Sequence, residues 1–198
     1  MRSLAFDGSI HTVIFVLAYA AWWVPETIGS IFQRSARRHG TRRDRGSYAL
    51  LVALLSIGML LGFGIAVVLR WATIPVLREP LFWLGIICLL AGVVLRWYAI
   101  RILGRFFTRD VATQPGQTVV QDGLYRFIRH PAYSGTLLTL LGIGLALGNW
   151  LSLLVIMAGG LIGHLYRIRV EEQVLVDTIG TPYQEYMRRT RRLIPYVW

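Results

Sequence analysis

The chain is 198 residues long, 55% hydrophobic and only 16% charged, with a mean hydropathy of +0.54. This composition excludes a disordered chain and argues against an ordinary water-soluble globule. All 21 basic side chains are arginine, so the net charge of +11 rests on groups that never deprotonate, and chemistry that needs a lysine is excluded.

The arginines alternate with long apolar runs, which fits the basic loops of a membrane protein better than a nucleic-acid surface. Apolar runs of about 17–25 residues cross a roughly 30 Å hydrocarbon layer as helices. The first predicted span runs from Ile10 to Val24 and ends at Trp22, Trp23 and Pro25, with Ile28 and Phe32 as a weak extension. Ala18-Tyr19-Ala20 imitates a signal-peptide cleavage site, but Arg2 is offset by Asp7 and two tryptophans follow, so the segment reads as a span. The second span, Ser47 to Leu69, contains no charge.

The third predicted span, Leu81 to Leu103, holds Cys88, the lone cysteine, which rules out disulfides within the chain and multi-cysteine metal sites. It also carries Arg96 and Arg101, each costing about 2.5–3.5 kcal/mol at a helix centre, so both must face a polar interior or snorkel to an interface. From Tyr133 to Tyr166 the apolar run is too long for one span, and Gly148-Asn149-Trp150 interrupts it, which predicts a tight helical hairpin. Gly58, Gly62, Gly144, Gly148, Gly159, Gly160 and Gly163 suit close approach of neighbouring helices. The expected fold is an all-α integral membrane protein of about five transmembrane helices. It forms one membrane domain over residues 1–198, with three spans and a basic loop in 1–104 and the predicted hairpin and two polar stretches in 105–198.

Loop charge sets the expected orientation. Arg34 to Arg45 holds six arginines against one aspartate and should stay cytoplasmic, which puts the N-terminus outside and the C-terminus inside. On that count 17 of the 21 arginines are cytoplasmic. The stretches 105–130 and 167–198 then share the face where soluble cofactors are available. A small chain whose basic side chains are all arginine suggests a bacterial inner membrane.

Both stretches hold candidate chemistry. In Asp122-Gly123-Leu124-Tyr125-Arg126-Phe127-Ile128-Arg129-His130-Pro131, the proline suits the first position of a helix with His130 at its N-cap. That helix end, beside Arg129, suits an anionic group. Further on, His164, Arg167 and Glu171 share one helix face with Glu172 beside it; an Arg167–Glu171 ion pair is the plain structural alternative. No ligand spacing supports a metal among His130, His164 and the glutamates, so none is expected. Gly180 reads as a helix stop, and Thr181, Pro182 and Gln184 as a capping box that starts a short surface helix bearing Tyr183 and Tyr186. The arginines and aromatics of the tail suit an anionic-lipid interface.

In this order, Gly123-x-Tyr125, Arg129-His130-Pro131-x-Tyr133-x-Gly135, Glu171-Glu172-x-x-Leu175, Gly180-x-x-Tyr183-x-x-Tyr186 and Leu193-Ile194-Pro195 closely resemble the isoprenylcysteine carboxyl methyltransferase family. Leu103-Gly104-Arg105-Phe106-Phe107 is similar to the family's approach to the site, so the resemblance covers residues 100–198; residues 1–80 resemble nothing beyond membrane helices. It implies an integral membrane enzyme that uses S-adenosyl-L-methionine, held in a cytoplasmic pocket closed by the last helical hairpin and the C-terminal segment. Carried over, His130, Tyr133 and Gly135 would line the cofactor. The backbone from Gln117 through Val120 and Gly123 to Tyr125, and Tyr183 and Tyr186, would help. Glu171 and Glu172 would contact the cofactor or position the acceptor, and Arg129 would orient an acceptor carboxylate. The acceptor is expected to be lipophilic and to enter between helices from the lipid bilayer. A phospholipid N-methyltransferase, with related Arg-His-Pro and Glu-Glu elements, and a membrane sterol reductase using NADPH are the alternatives from sequence; a non-catalytic membrane scaffold is a third.

Overall fold

The computed structural model of the chain describes residues 3–35, 41–42, 44–108, 112–113, 116 and 118–195. Gln117 and the loop arginines Arg37, Arg38 and Arg43 lie outside the described residues. The described chain is helical: α1 (Ile10–Ser35), α2 (Ser47–Val68), α3 (Arg78–Leu103), α4 (Pro131–Leu147), α5 (Trp150–Ile179) and α6 (Thr181–Arg189), with one two-residue antiparallel pairing of Thr41–Arg42 and Ala112–Thr113. Among the described residues, four stretches are long and apolar enough to cross a membrane: Ile10–Gly29, Ser47–Val68, Arg78–Phe106 and Trp150–Ile179. The expected fifth, α4, is a shorter apolar helix of 17 residues, at the lower end of the spanning range.

Helix α1 does not stop near Pro25 as its sequence suggests; it runs on to Ser35. A proline there removes only its own bond to the carbonyl one turn back, and the Thr27 hydroxyl donates to the Trp23 carbonyl at 2.8 Å just beyond it. The predicted hairpin is present. Gly148 closes α4 at φ +61°, and the Asn149 side chain accepts from Ser152 N at 3.0 Å to start α5. Its amide also donates to Leu69 O at 3.0 Å, which fastens this turn to the end of α2.

Helix pairs α3 with α4 and α2 with α5 make the closest approaches. A methyl group at Gly135 would lie 2.7 Å from Arg96 N and 2.8 Å from Gly92 O, closer than any Cβ tolerates. Gly159, where a methyl group would lie 2.7 Å from Leu54 O, serves the α2–α5 contact in the same way. Phe15, Phe82, Leu89, Leu140, Ile143 and Ile156 fill the space between these pairs, while Leu60, Ile87 and Val68 point outward and are 75%, 63% and 73% exposed, as a lipid-facing belt requires. Helix α1 leans on α3 and the Leu4–Phe6 turn rather than on α2. At the level of Glu26 and Tyr48 this leaves a gap between α1 and α2.

Arg96 resolves its cost inside the protein, in an ion pair with Glu26 that includes a 3.1 Å Nη2–Oε2 bond, while Arg101 is exposed at the end of α3. The last turns of α3 and α5 and the first turn of α4 meet at one end of the bundle, where α6 and the tail cover them.

Candidate functional site

His130 is the N-cap of α4 with Pro131 in its first turn, as expected. The segment before it pairs with the tail like two parallel strands. Arg191 N donates to Phe127 O at 3.1 Å, Arg129 N to Arg191 O at 2.7 Å and His130 N to Arg192 O at 3.0 Å. Ser134 Oγ adds a 2.6 Å bond to Leu193 O. The Leu193-Ile194-Pro195 motif is thus part of a seam that holds the C-terminal segment over the start of α4. Helix α6 begins one residue earlier than a Thr181 cap would give: Gly180, at φ +73°, is the N-cap, and there is no side-chain capping bond among the described residues.

Under this seam lies a pocket with about 900 Å³ of space including its open mouth. Its polar wall is made by Tyr125, Arg129, His130, Tyr133, Arg167 and Glu171, with Tyr183 and Tyr186 supplied by α6; Phe106, Val120 and Leu175 are among its apolar residues. Of the expected cofactor residues, Val120, Tyr125, His130, Tyr133, Glu171, Tyr183 and Tyr186 therefore line one space. Two others do not. Gly135 faces α3 and is a packing residue, and Gly123, at φ +55°, opens the turn that carries Tyr125 and sits against Tyr98 and Ile102.

The two glutamates have separate environments. Glu172 is buried behind the pocket wall and accepts from Arg129 Nε at 2.8 Å, Arg192 Nε at 3.0 Å and Arg192 Nη2 at 2.9 Å. Arg129 also donates to the carbonyls of Met187, at 3.1 Å, and Thr190. Both groups tie the tail to α5. Glu171 faces the pocket: its Oε2 accepts from the Tyr133 hydroxyl at 2.6 Å, and its Oε1 has no partner among the described residues.

Tyr133 is the centre of a longer chain. Its hydroxyl accepts from Arg167 Nε at 2.9 Å, and Arg167 Nη1 donates to Asp44 Oδ1 at 2.9 Å and to Ser47 Oγ at 3.1 Å. Asp44 is buried and also accepts from Ser47 Oγ and Tyr48 N at the start of α2. Burial alone would raise its carboxyl, but these bonds and the Arg167 charge outweigh it and hold the group below its ordinary value. Sequence reasoning missed Asp44, which lies in a charged loop 123 residues from its partner. Arg167 was visible only as one face of a helix.

The aromatic groups complete the lining. His130 stacks on Tyr133 with centroids 5.4 Å apart. Its buried Nε2 makes no hydrogen bond and stands 3.4 Å from Glu172 Oε1. The Tyr186 hydroxyl donates to Tyr125 O at 2.6 Å, whereas that of Tyr183, also buried, has no partner among the described residues. Burial pushes the phenols of Tyr125, Tyr183 and Tyr186 up, so all three remain protonated donors at neutral pH. A second space opens between α1 and α2, lined by Trp22, Glu26, Leu51, Leu55, Arg96 and His164 among others. Phe107, Thr108, Tyr133 and Arg167 belong to both linings.

A profile of the isoprenylcysteine carboxyl methyltransferase family matches residues 83–177, from α3 to the end of α5. Residues 83–177 are thus similar to that family. Among its relatives, a protein-S-isoprenylcysteine O-methyltransferase of Schizosaccharomyces pombe is 34% identical over 116 residues, 58% of this chain and 48% of that protein. A probable protein-S-isoprenylcysteine O-methyltransferase of Oryza sativa subsp. indica is 29% identical over 174 residues, 85% of this chain and 90% of its own. An uncharacterised protein of Bacillus subtilis is 27% identical over 97 residues. The chain thus spans about half the length of the fission-yeast methyltransferase. The related proteins that carry a methyltransferase name here are eukaryotic, and they lend no support to a bacterial source. Within the family match lie Arg129, His130, Tyr133, Arg167, Glu171 and Glu172; Asp44, Tyr183, Tyr186 and the tail lie outside it.

Proposed function

We propose that the chain is an S-adenosyl-L-methionine-dependent membrane methyltransferase whose acceptor is a lipophilic carboxylate, as in the isoprenylcysteine O-methylation named for its relatives. The observation that carries the reading is the wall shared by two pockets. One lies under the polar tail, the other opens between α1 and α2 among tryptophans and leucines, and Tyr133 and Arg167 stand in both. A water-soluble methyl donor and a lipid-borne acceptor need such a pair of entrances that meet at one point. In this reading α4 is the fifth span, the N-terminus is outside, and the pocket under the tail faces the cytoplasm.

The donor pocket suits a sulfonium nucleoside. Aromatic faces attract a cation, the Glu171 carboxylate adds opposite charge, and the Tyr183 hydroxyl supplies a polar contact for an adenosyl or amino-acid portion. When bound, S-adenosylmethionine supplies a methyl group on positive sulfur, open to in-line displacement. The chain's own residues then have to align the acceptor and exclude water. A carboxylate is ionised at neutral pH and needs no general base. In this reading the role expected for Arg129, orienting that carboxylate, falls to Arg167 by position: both arginines already donate to protein acceptors, Arg129 to Glu172 and the carbonyls of Met187 and Thr190 and Arg167 to Tyr133, Asp44 and Ser47, but of the two it is Arg167 that lines both pockets. Glu171, fixed by Tyr133, holds the donor side, and Glu172 with Arg129 keeps the tail closed.

Calorimetry with S-adenosylhomocysteine on the purified, folded chain tests the donor site; no binding at millimolar product refutes it. Incubation with radiolabelled donor and native lipid extract then tests the acceptor class. A base-labile methyl product is expected, and a base-stable one refutes the carboxylate reading in favour of N-methylation.

A further inference from the structure

On the outer side of the tail seam, facing away from the donor pocket, a concave surface is lined by Arg126, Phe127, Arg188, Arg189, Arg191 and Pro195. Its four arginines are exposed, and none makes an ion pair or side-chain hydrogen bond among the described residues. The contrast with the inner side is sharp: there Arg129 and Arg192 are both neutralised by Glu172. No carboxylate lines the outer concavity among the described residues. Four like charges converging on one hollow repel one another and hold a high positive potential unless an anion sits among them.

The guanidinium fork matches phosphate oxygens in pairs, so a phosphate is the anion that this set fits. The surroundings select its source. Phe127 and Ile194 project beside the arginines, 48% and 55% exposed, at the end of the bundle where the spans leave the bilayer. Basic side chains interleaved with exposed apolar ones at a membrane boundary suit a lipid headgroup with its adjoining chains rather than a free ion. We propose that this concavity binds the phosphate of an anionic lipid headgroup and that the bound headgroup clamps the C-terminal segment shut. The clamp follows from which elements contribute. Arg126 and Phe127 precede α4, Arg188 and Arg189 end α6, and Arg191 belongs to the tail, so one phosphate bridges both sides of the seam formed by the Phe127–Arg191 and Arg129–Arg191 backbone bonds.

The test is hydrogen exchange of residues 127–130 and 190–193 in the full chain, reconstituted in nanodiscs of phosphatidylcholine alone or with phosphatidylglycerol. Phosphatidylglycerol is expected to slow exchange across the seam several-fold. The variant Arg126→Gln/Arg189→Gln/Arg191→Gln is expected to exchange alike in both lipids. These side chains lie on the surface, but if the triple variant does not fold, Arg189→Gln alone is titrated with phosphatidylglycerol in detergent. It is expected to weaken lipid affinity about fivefold, the share of one arginine near an anionic surface. Equal exchange in the two lipids, or an unchanged response in the variants, overturns the proposal. So does inorganic phosphate in detergent that slows exchange as strongly as the lipid does, since it assigns the site to a soluble anion. None of these readouts requires methyl transfer, so failure here and failure of the methyltransferase reading are separate results.

Discussion

Replacing Glu172 by glutamine keeps the shape of the side chain and removes the charge on which the tail closure converges. The carboxylate is 4% exposed, Arg129 8% and Arg192 32%. Removing one partner of a buried ion pair costs about 3–5 kcal/mol because the other charge is left uncompensated. Arg192 turns partly to solvent, and its share is held to the surface value of under about 1 kcal/mol; Arg129 therefore accounts for most of the loss. Since Arg129 keeps the carbonyls of Met187 and Thr190, the lower bound of about 3 kcal/mol applies, a factor of roughly 150 in the equilibrium between docked and released tail. The assay is hydrogen exchange at the amides of Arg129, His130 and Arg191, which donate across the seam. Their exchange is expected to accelerate strongly while that of α2 and α5 near Gly58 and Gly159 is unchanged, and S-adenosylhomocysteine affinity is expected to fall with it. Seam amides as protected as in the wild type, within about threefold, refute the assignment of Glu172 to tail closure. Lost affinity with full seam protection moves Glu172 into direct contact with the donor.

Three further outcomes follow from the same geometry. Tyr133→Phe keeps the stack on His130 but deletes the hydroxyl between Arg167 and Glu171; a fall in kcat with S-adenosylhomocysteine affinity within about threefold is expected, about 0.7 kcal/mol at most, and calorimetry with turnover assays checks it. Asp44 is held below its ordinary value, so its contribution to stability is fully present above an unfolded carboxylate value of about 4 and is lost as pH falls through the lower folded value. Melting curves from pH 7 to pH 3 are expected to show that acid loss in the wild type and a smaller one in Asp44→Asn. Gly135→Ala forces a methyl against the α3 backbone and is expected to destabilise by about 1–3 kcal/mol, the usual cost of overpacking, with a lower melting temperature; an unchanged one refutes the close α3–α4 contact.

What was legible in the sequence depended on how local the determining physics is. Gly148 and Asn149 end one helix and start the next through bonds within a few residues, and the hairpin followed from them. His130-Pro131 fixes a helix start in the same local way. The site's long-range partners were not legible, because a charge run looks identical whether it faces water or reaches inward. Asp44 sits among loop arginines and reads as a minor offset to their charge, yet folding carries it into a buried pair with Arg167 across the bundle. Arg129 and Glu172 show the reverse case. Their motif marked them for chemistry, and the structure joins them to each other and to the tail. Each donor that Arg129 withdrew from the carbonyls of Met187 and Thr190 would leave a carbonyl unsatisfied, so the pair also serves to hold the tail in place. Motif residues can therefore matter to catalysis by holding the pocket closed, and the cation at the reacting point is sought where two differently polar entrances share a wall. In this chain the cation that lines both pockets is Arg167, the residue proposed for that role.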